Sequence, residues 1–286
     1  VLKMVKMKKI LVPTDFSKNA YAALFYVSKL FGSEALQITL VHSFGDEIST
    51  LTSRVDIGRS EGIVDKLYAQ SEDDGKKFMH TIKLDLGDLP HTYDIISTPA
   101  QLPRLINTMI AEEGFDLVVM GSKGRTGAEA VLMGSTTLKV IQKLEGCPLL
   151  IVPKEVDFKV PSSIAFATDY NEFYQLSKLK PLLQLGRHYN STLHVTHVVE
   201  AELNEEQRHN IEQFKNDLIE FNSEIHWLQK KENISNTLHT FIDDKNIDLL
   251  ALVYHKHNFI DTLFREPVVK RMGKNTHTPT LVIPIK

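Results

Sequence analysis

Short apolar runs separated by longer amphipathic stretches organise this chain. Ile10-Leu11-Val12, Ile38-Thr39-Leu40-Val41, Leu117-Val118-Val119-Met120 and Leu149-Leu150-Ile151-Val152 read as buried strands of a parallel sheet. The stretch after the first run has the clearest helical stripe, through Ala20, Leu24, Val27 and Phe31, with Ser17 placed as N-cap and Gly32 as stop. The first half is predicted to hold strands near 9–14, 37–43, 90–97, 115–121 and 148–153, and helices near 18–31, 61–82, 100–113 and 135–144. Strand and helix alternate, the pattern of a doubly wound α/β sheet.

The same order returns in the second half. Thr14-Asp15 after the first strand recurs as Thr168-Asp169, Leu40-Val41-His42 as Val195-Thr196-His197, and Phe115-Asp116-Leu117 as Ile247-Asp248-Leu249. Cys147-Pro148-Leu149 through Pro153 recurs as Thr278-Pro279-Thr280 through Pro284. The chain is therefore a tandem duplication. Strands of the second copy are expected near 163–168, 192–199, 223–229, 248–254 and 280–284. Domain 1 is assigned to 1–154 and domain 2 to 155–286, each with a five-stranded parallel sheet and joined by a short linker from Lys154 to Pro161. The length of 286 residues suits two domains of about 140.

Composition narrows the function classes. Apolar residues at 42% and charged residues at 24% describe an ordinary globular protein. Thirty-three basic against 36 acidic side chains give a net charge of −3, so no overall field recruits nucleic acid or a membrane. No apolar run is long enough to span a bilayer, and residues 1–7 lack the features of a signal peptide, so a cytoplasmic location is expected. The single cysteine, Cys147, is expected to be a small buried hydrophobe.

The candidate chemistry lies after the fourth strand, where Gly121-x-x-Gly124, nine residues and then Gly134-Ser135 form a strand, a glycine-containing loop and a helix start. N–H groups and the positive end of a helix dipole converge in such a loop, which makes phosphate its natural ligand. Lys123 and Arg125 add positive charge, and Ser135 is expected at or near the helix cap. In open sheets of this kind the ligand crevice lies outside the carboxyl ends of the strands, where Asp15, Val41 and Gly121 all fall.

Gly121, Gly124, Gly134 and Ser135 match without a gap the nucleotide signature of the universal stress protein family, G-x2-G-x9-G-(S/T), which this chain resembles. The resemblance extends to Lys9 through Ser17, to Ile38 through Ser43 and to Gly146 through Pro153. It implies a Rossmann-like fold of the adenine nucleotide alpha hydrolase type in tandem, and membership of the family's ATP-binding branch. The implied ligand is ATP, AMP or ADP, with or without Mg²⁺. Asp15 and Val41 would contact adenine or ribose, Gly121 and Gly124 would flank ribose and phosphate, and Gly134, Ser135 and Thr137 would hold phosphates. Pro13, Thr14, Met120, Ser122, Arg125 and Thr136 complete the implied set. The family's habit of pairing through last strands implies an intrachain pseudo-dimer, and beyond it a homodimer of chains with an unknown protein partner.

The second copy has lost the motif. Val253-Tyr254-His255-Lys256-His257-Asn258 replaces the first glycines, and Glu266 stands where the first copy offers a hydroxyl, so no nucleotide is expected there. His194, His197, His255 and His257 are a weak metal-ligand set without a cysteine, and no metal site is assigned to them. Enzyme signatures are missing as well: there is no G-x-x-x-x-G-K-(S/T), H-x-G-H or S-G-G-x-D-S, and no catalytic residue is assigned. The leading expectation is a nucleotide-binding regulatory module of the stress response rather than an enzyme. A slow ATP hydrolase and a scaffold with a structural nucleotide are the alternatives.

Overall fold

A computed structural model of the chain describes residues 7–32, 34–52, 60–124, 133–172, 175–254 and 278–285. The described residues fall into two compact units, one of 7–124 and 134–154, the other of 155–285 together with Met133. The first runs β1 (Lys8–Pro13), α1 (Lys18–Leu30), β2 (Leu36–Ser43), α2 (Gly45–Thr52), α3 (Ser60–Leu86), β3 (His91–Thr98), α4 (Leu102–Glu113), β4 (Leu117–Gly121), α5 (Ser135–Lys143) and β5 (Leu149–Val152). Its strands lie in the order β3-β2-β1-β4-β5, every pair parallel. The doubly wound α/β fold read from the sequence is the fold observed. Chain direction across the sheet reverses between β1 and β4, which opens the ligand crevice of this architecture at their carboxyl ends.

Continuous apolar runs form the sheet's centre because both faces are covered: Ile10, Leu11, Leu40, Val118 and Ile151 are all buried. Helix α1 starts where Ser17 accepts the Ala20 N–H, and it buries Ala20, Leu24 and Val27. Phe31 is its C-cap rather than a further member of the buried stripe.

The unexpected element is α2. Its Gly45-Asp46-Glu47-Ile48-Ser49 start has no apolar stripe to announce a helix. The glycine is required by packing, since a Cβ there would fall 2.5 Å from the Pro99 carbonyl oxygen.

The second unit runs β6 (Ser163–Ala167), α6 (Lys180–Tyr189), β7 (Thr192–Val199), α7 (Glu205–Asp217), β8 (Ser223–Gln229), α8 (Ile234–Asp244), β9 (Leu249–Tyr254) and β10 (Thr280–Pro284). Its strand order, β8-β7-β6-β9-β10, is that of the first unit. The repeat extends to single hydrogen bonds. Asp116 accepts the Lys9 N–H at 2.9 Å, and Asp248 accepts the Ser163 N–H at 3.0 Å. Each aspartate therefore ties the start of a fourth strand to the first.

Candidate functional site

The Thr-Asp turn builds one wall of the crevice. Thr14 donates its N–H to the Val41 carbonyl at 2.9 Å, joining the ends of β1 and β2. Its hydroxyl oxygen accepts the Phe16 N–H at 2.9 Å, and Asp15 Oδ1 accepts the Ser17 N–H at 3.0 Å. These bonds hold Phe16 at φ 56°, a left-handed conformation uncommon for a bulky side chain. The ring is held against His42 with centroids 4.7 Å apart. With Oδ1 engaged in the turn, Asp15 has Oδ2 on the loop side, 3.2 Å from the point where a Gly124 Cβ would stand.

The glycine loop builds the other wall, and its glycines have different reasons to be glycine. At Gly121 a Cβ would meet the Asn19 carbonyl oxygen at 2.9 Å, so this position lets β4 approach the backbone of α1. At Gly134 a Cβ would lie 3.2 Å from the Lys123 Cα, which lets two arms of the loop touch. Among the described loop glycines, only at Gly124, exposed and facing Asp15 Oδ2, does the missing side chain leave room in the crevice itself.

Three further bonds close the loop. Ser122 donates its N–H to the Val152 carbonyl and accepts the Gly134 N–H, both at 2.8 Å. The Asn19 amide donates to the Lys123 carbonyl at 2.7 Å. Asn19 thus positions both Gly121 and Lys123, a role that nothing in its residue type announces.

Gly134, not Ser135, is the N-cap of α5, with extended backbone and no side-chain cap. An uncapped start leaves the first-turn N–H groups of Ser135, Thr136 and Thr137 without intrahelical partners. Ser135 and Thr136 are exposed beside them. Thr137 is 2% exposed, and its hydroxyl donates to the Gly121 carbonyl at 3.1 Å, so this side chain ties α5 to β4 instead of facing a phosphate. Val41 is fully buried with its carbonyl taken by Thr14, and Pro13 and Met120 are buried too, so these three shape the crevice from below. Arg125 lies outside the described residues.

The second unit repeats the turn: Thr168 accepts the Tyr170 N–H at 3.1 Å, Asp169 accepts the Asn171 N–H at 3.1 Å, and Tyr170 sits at φ 56°. Beyond it lies a cavity of about 130 Å³ lined by Thr168, Asp169, His197, Glu200, Glu202 and Gln207 among others. Asp169 and Glu202 oppose an anionic ligand, while Glu200 is paired with Lys230 at 2.5 Å. His255, His257 and Glu266 lie outside the described residues.

The histidines group differently from the sequence expectation. His194 and His197 are separated by three residues on β7 and so point to opposite faces of the sheet. His197 Nδ1 lies 3.0 Å from the Thr168 carbonyl oxygen, which only accepts, so that nitrogen carries the proton. His194 instead meets two residues of β8 absent from the sequence-based set: its Nδ1 is 3.0 Å from His226 Nε2 and 3.5 Å from Glu224 Oε2. Burial holds the His194 imidazole below its ordinary value, with His226 and Lys245 acting the same way and Glu224 against. Burial likewise lowers His226, with Lys245 assisting. The spacing Glu224-x-His226, which puts both on one face of a strand, was the available signal.

Cys147 is buried as expected, with its thiol directed at the Phe115 carbonyl. Burial, aided by Asp116, pushes the thiol up to about 12. Among the described residues, no helix is long and apolar enough to cross a membrane.

The universal stress protein family model matches residues 6–153. In sequence, the chain is similar to universal stress protein MJ0577 of Methanocaldococcus jannaschii, 31% identical over 160 residues that cover 53% of this chain and 98% of the relative. It is also similar to universal stress protein YxiE of Bacillus subtilis, 26% identical over 145 residues, 50% of this chain and 97% of the relative. A solved universal stress protein from Archaeoglobus fulgidus covers 96% of both chains with a TM-score of 0.67 and 17% identity, a likeness of fold.

Proposed function

This chain belongs to the universal stress protein family, and on that premise we propose that its first unit binds one adenine nucleotide and serves as a nucleotide-responsive module of the stress response. The observation that carries the proposal is the bond from the Gly134 N–H to the Ser122 carbonyl, which brings the start of α5 to the carboxyl end of β4, with Gly124 facing Asp15 alongside. An anion is favoured there by the helix dipole and by three backbone donors without intrahelical partners. The Asp15 carboxylate supplies acceptors for the hydroxyl or amine groups of a nucleoside placed against it.

In this proposal, phosphates lie against the N–H groups of Ser135, Thr136 and Thr137, while the Ser135 and Thr136 hydroxyls and Lys123 lie nearby. Gly124 keeps the passage between Asp15 and the loop open. Mg²⁺ accompanies the phosphates rather than a protein site. Nucleotide occupancy alters the loop surface offered to a protein partner, and the chain acts by binding rather than by turnover.

Calorimetry of the full chain with ATP, ADP and AMP, with and without Mg²⁺, tests this directly. One site per chain is expected, with affinity lost in Gly124→Arg. No binding, or two equivalent sites per chain, would overturn the assignment to the first unit alone.

A further inference from the structure

The His194, Glu224 and His226 cluster lies on the β7–β8 side of the second unit, away from the Thr168-Asp169 crevice. His194 pairs in register with Glu224, and Thr196 with His226, so the three side chains stand on one face of the two neighbouring strands. Phe241 of α8 packs over both imidazoles, with ring centroids 6.1 Å from His194 and 4.9 Å from His226, and fixes their planes. His194 is 7% exposed, whereas the Glu224 side chain is 54% exposed and gives solvent access.

We propose that His194 Nδ1, His226 Nε2 and Glu224 Oε2 form a three-ligand site for a divalent transition metal ion of zinc type. The three atoms are 3.0, 3.3 and 3.5 Å apart. Zinc bonds of about 2.0–2.1 Å to nitrogen and oxygen at tetrahedral angles set ligand edges of about 3.3–3.4 Å. The triangle comes close to one face of such a tetrahedron, its His194–His226 edge at 3.0 Å being the short one, and the exposed carboxylate leaves the fourth corner to water.

Proton accounting points the same way. A neutral imidazole pair places one proton in its 3.0 Å contact, and when His226 Nε2 carries it the same N–H also faces Glu224 Oε2 at 3.3 Å. Three electron-pair donors then converge on a point with a single proton among them. A cation at that point satisfies all three. Two imidazoles and one carboxylate favour Zn²⁺, Co²⁺ or Ni²⁺ over Mg²⁺ or Ca²⁺, which prefer all-oxygen shells. Lys245, whose charge acts against imidazolium at both rings, opposes a dication too and moderates the affinity.

The test is a Co²⁺ titration of the chelator-treated full chain, followed by visible absorption and without nucleotide. We expect stoichiometric binding with the intense d–d bands of tetrahedral cobalt, lost on addition of Zn²⁺. Glu224→Gln and His226→Gln should each weaken cobalt binding by roughly 100-fold or more, at or above the ~10–100-fold that loss of an outer-shell partner costs. Glu224 is largely exposed, so its variant folds even if His226→Gln does not. Absence of stoichiometric cobalt binding, or unchanged affinity in Glu224→Gln, would overturn the site.

Discussion

The first unit places a helix N-terminus and a glycine at the mouth of its crevice, whereas the second, with the same strand order and the same strained turn, lines the corresponding cavity with Asp169, Glu200 and Glu202. What the units share is a set of side-chain-to-backbone hydrogen bonds, in the Thr-Asp turn and the aspartate tie between first and fourth strands, and an aromatic residue at φ 56°. What differs is side-chain charge and the glycine loop. The shared features hold the fold, and the differing ones set which side chains line the strand ends. A frame held by the same threonine and aspartate bonds is compatible with different side chains at the same strand ends.

The largest expected effect that could break this contrast comes from Gly124→Arg. Nucleotide affinity should fall by about 100-fold or more because the crevice is filled, while thermal stability stays near wild type, since among the described residues only the Asp15 side chain lies within reach of the new Cβ. Calorimetry and a melting curve on the same preparation decide it, and retained affinity would make the motif a turn without a ligand.

Gly121→Ala should do the reverse. Its Cβ would press on the Asn19 backbone at 2.9 Å, and overpacking of this kind costs about 1–3 kcal/mol in urea unfolding. Unchanged stability there would remove the distinction drawn between these two glycines.

Asn19→Ala probes the support of the loop. Losing the amide bond to the Lys123 carbonyl is worth about 1 kcal/mol, which corresponds to roughly a fivefold drop in nucleotide affinity if the loop is disordered in proportion. A larger stability loss with unchanged affinity would mean that Asn19 serves helix packing only.

The smallest effect sharpens the shared half of the comparison. Thr14→Val and Thr168→Val each remove an acceptor from one turn, and losses of about 1 kcal/mol should be alike in the two units by hydrogen exchange. A loss confined to Thr14 would tie the turn to the ligand rather than to the fold.

Much of the fold was legible because two-sided burial writes strands as apolar runs, and the Ser17 cap with its helical stripe marks α1. Helix α2 was not legible, since close approach to the Pro99 backbone and not an apolar stripe determines its start. The candidate crevice could be read as a set of positions but not as a set of roles. The Thr137 side chain ties α5 to β4 through its hydroxyl on the Gly121 carbonyl, which leaves only its N–H at the helix start. Asn19 is invisible because its contacts are long-range in sequence. The sequence sets His194 and His197 with His255 and His257, whereas strand parity separates His194 from His197 and strand pairing brings in Glu224 and His226.

The two oxygens of Asp15 are divided between a turn and a crevice, and this makes the residue a selector of hydrogen-bond polarity. An asparagine could keep the turn through its carbonyl oxygen, the atom that accepts the Ser17 N–H. Its amide nitrogen would then replace Oδ2 beside Gly124 and present donors where the carboxylate presents acceptors. One isosteric exchange would leave the frame standing and invert which ligand groups the wall welcomes, from hydroxyls and amines toward carbonyls and ring nitrogens.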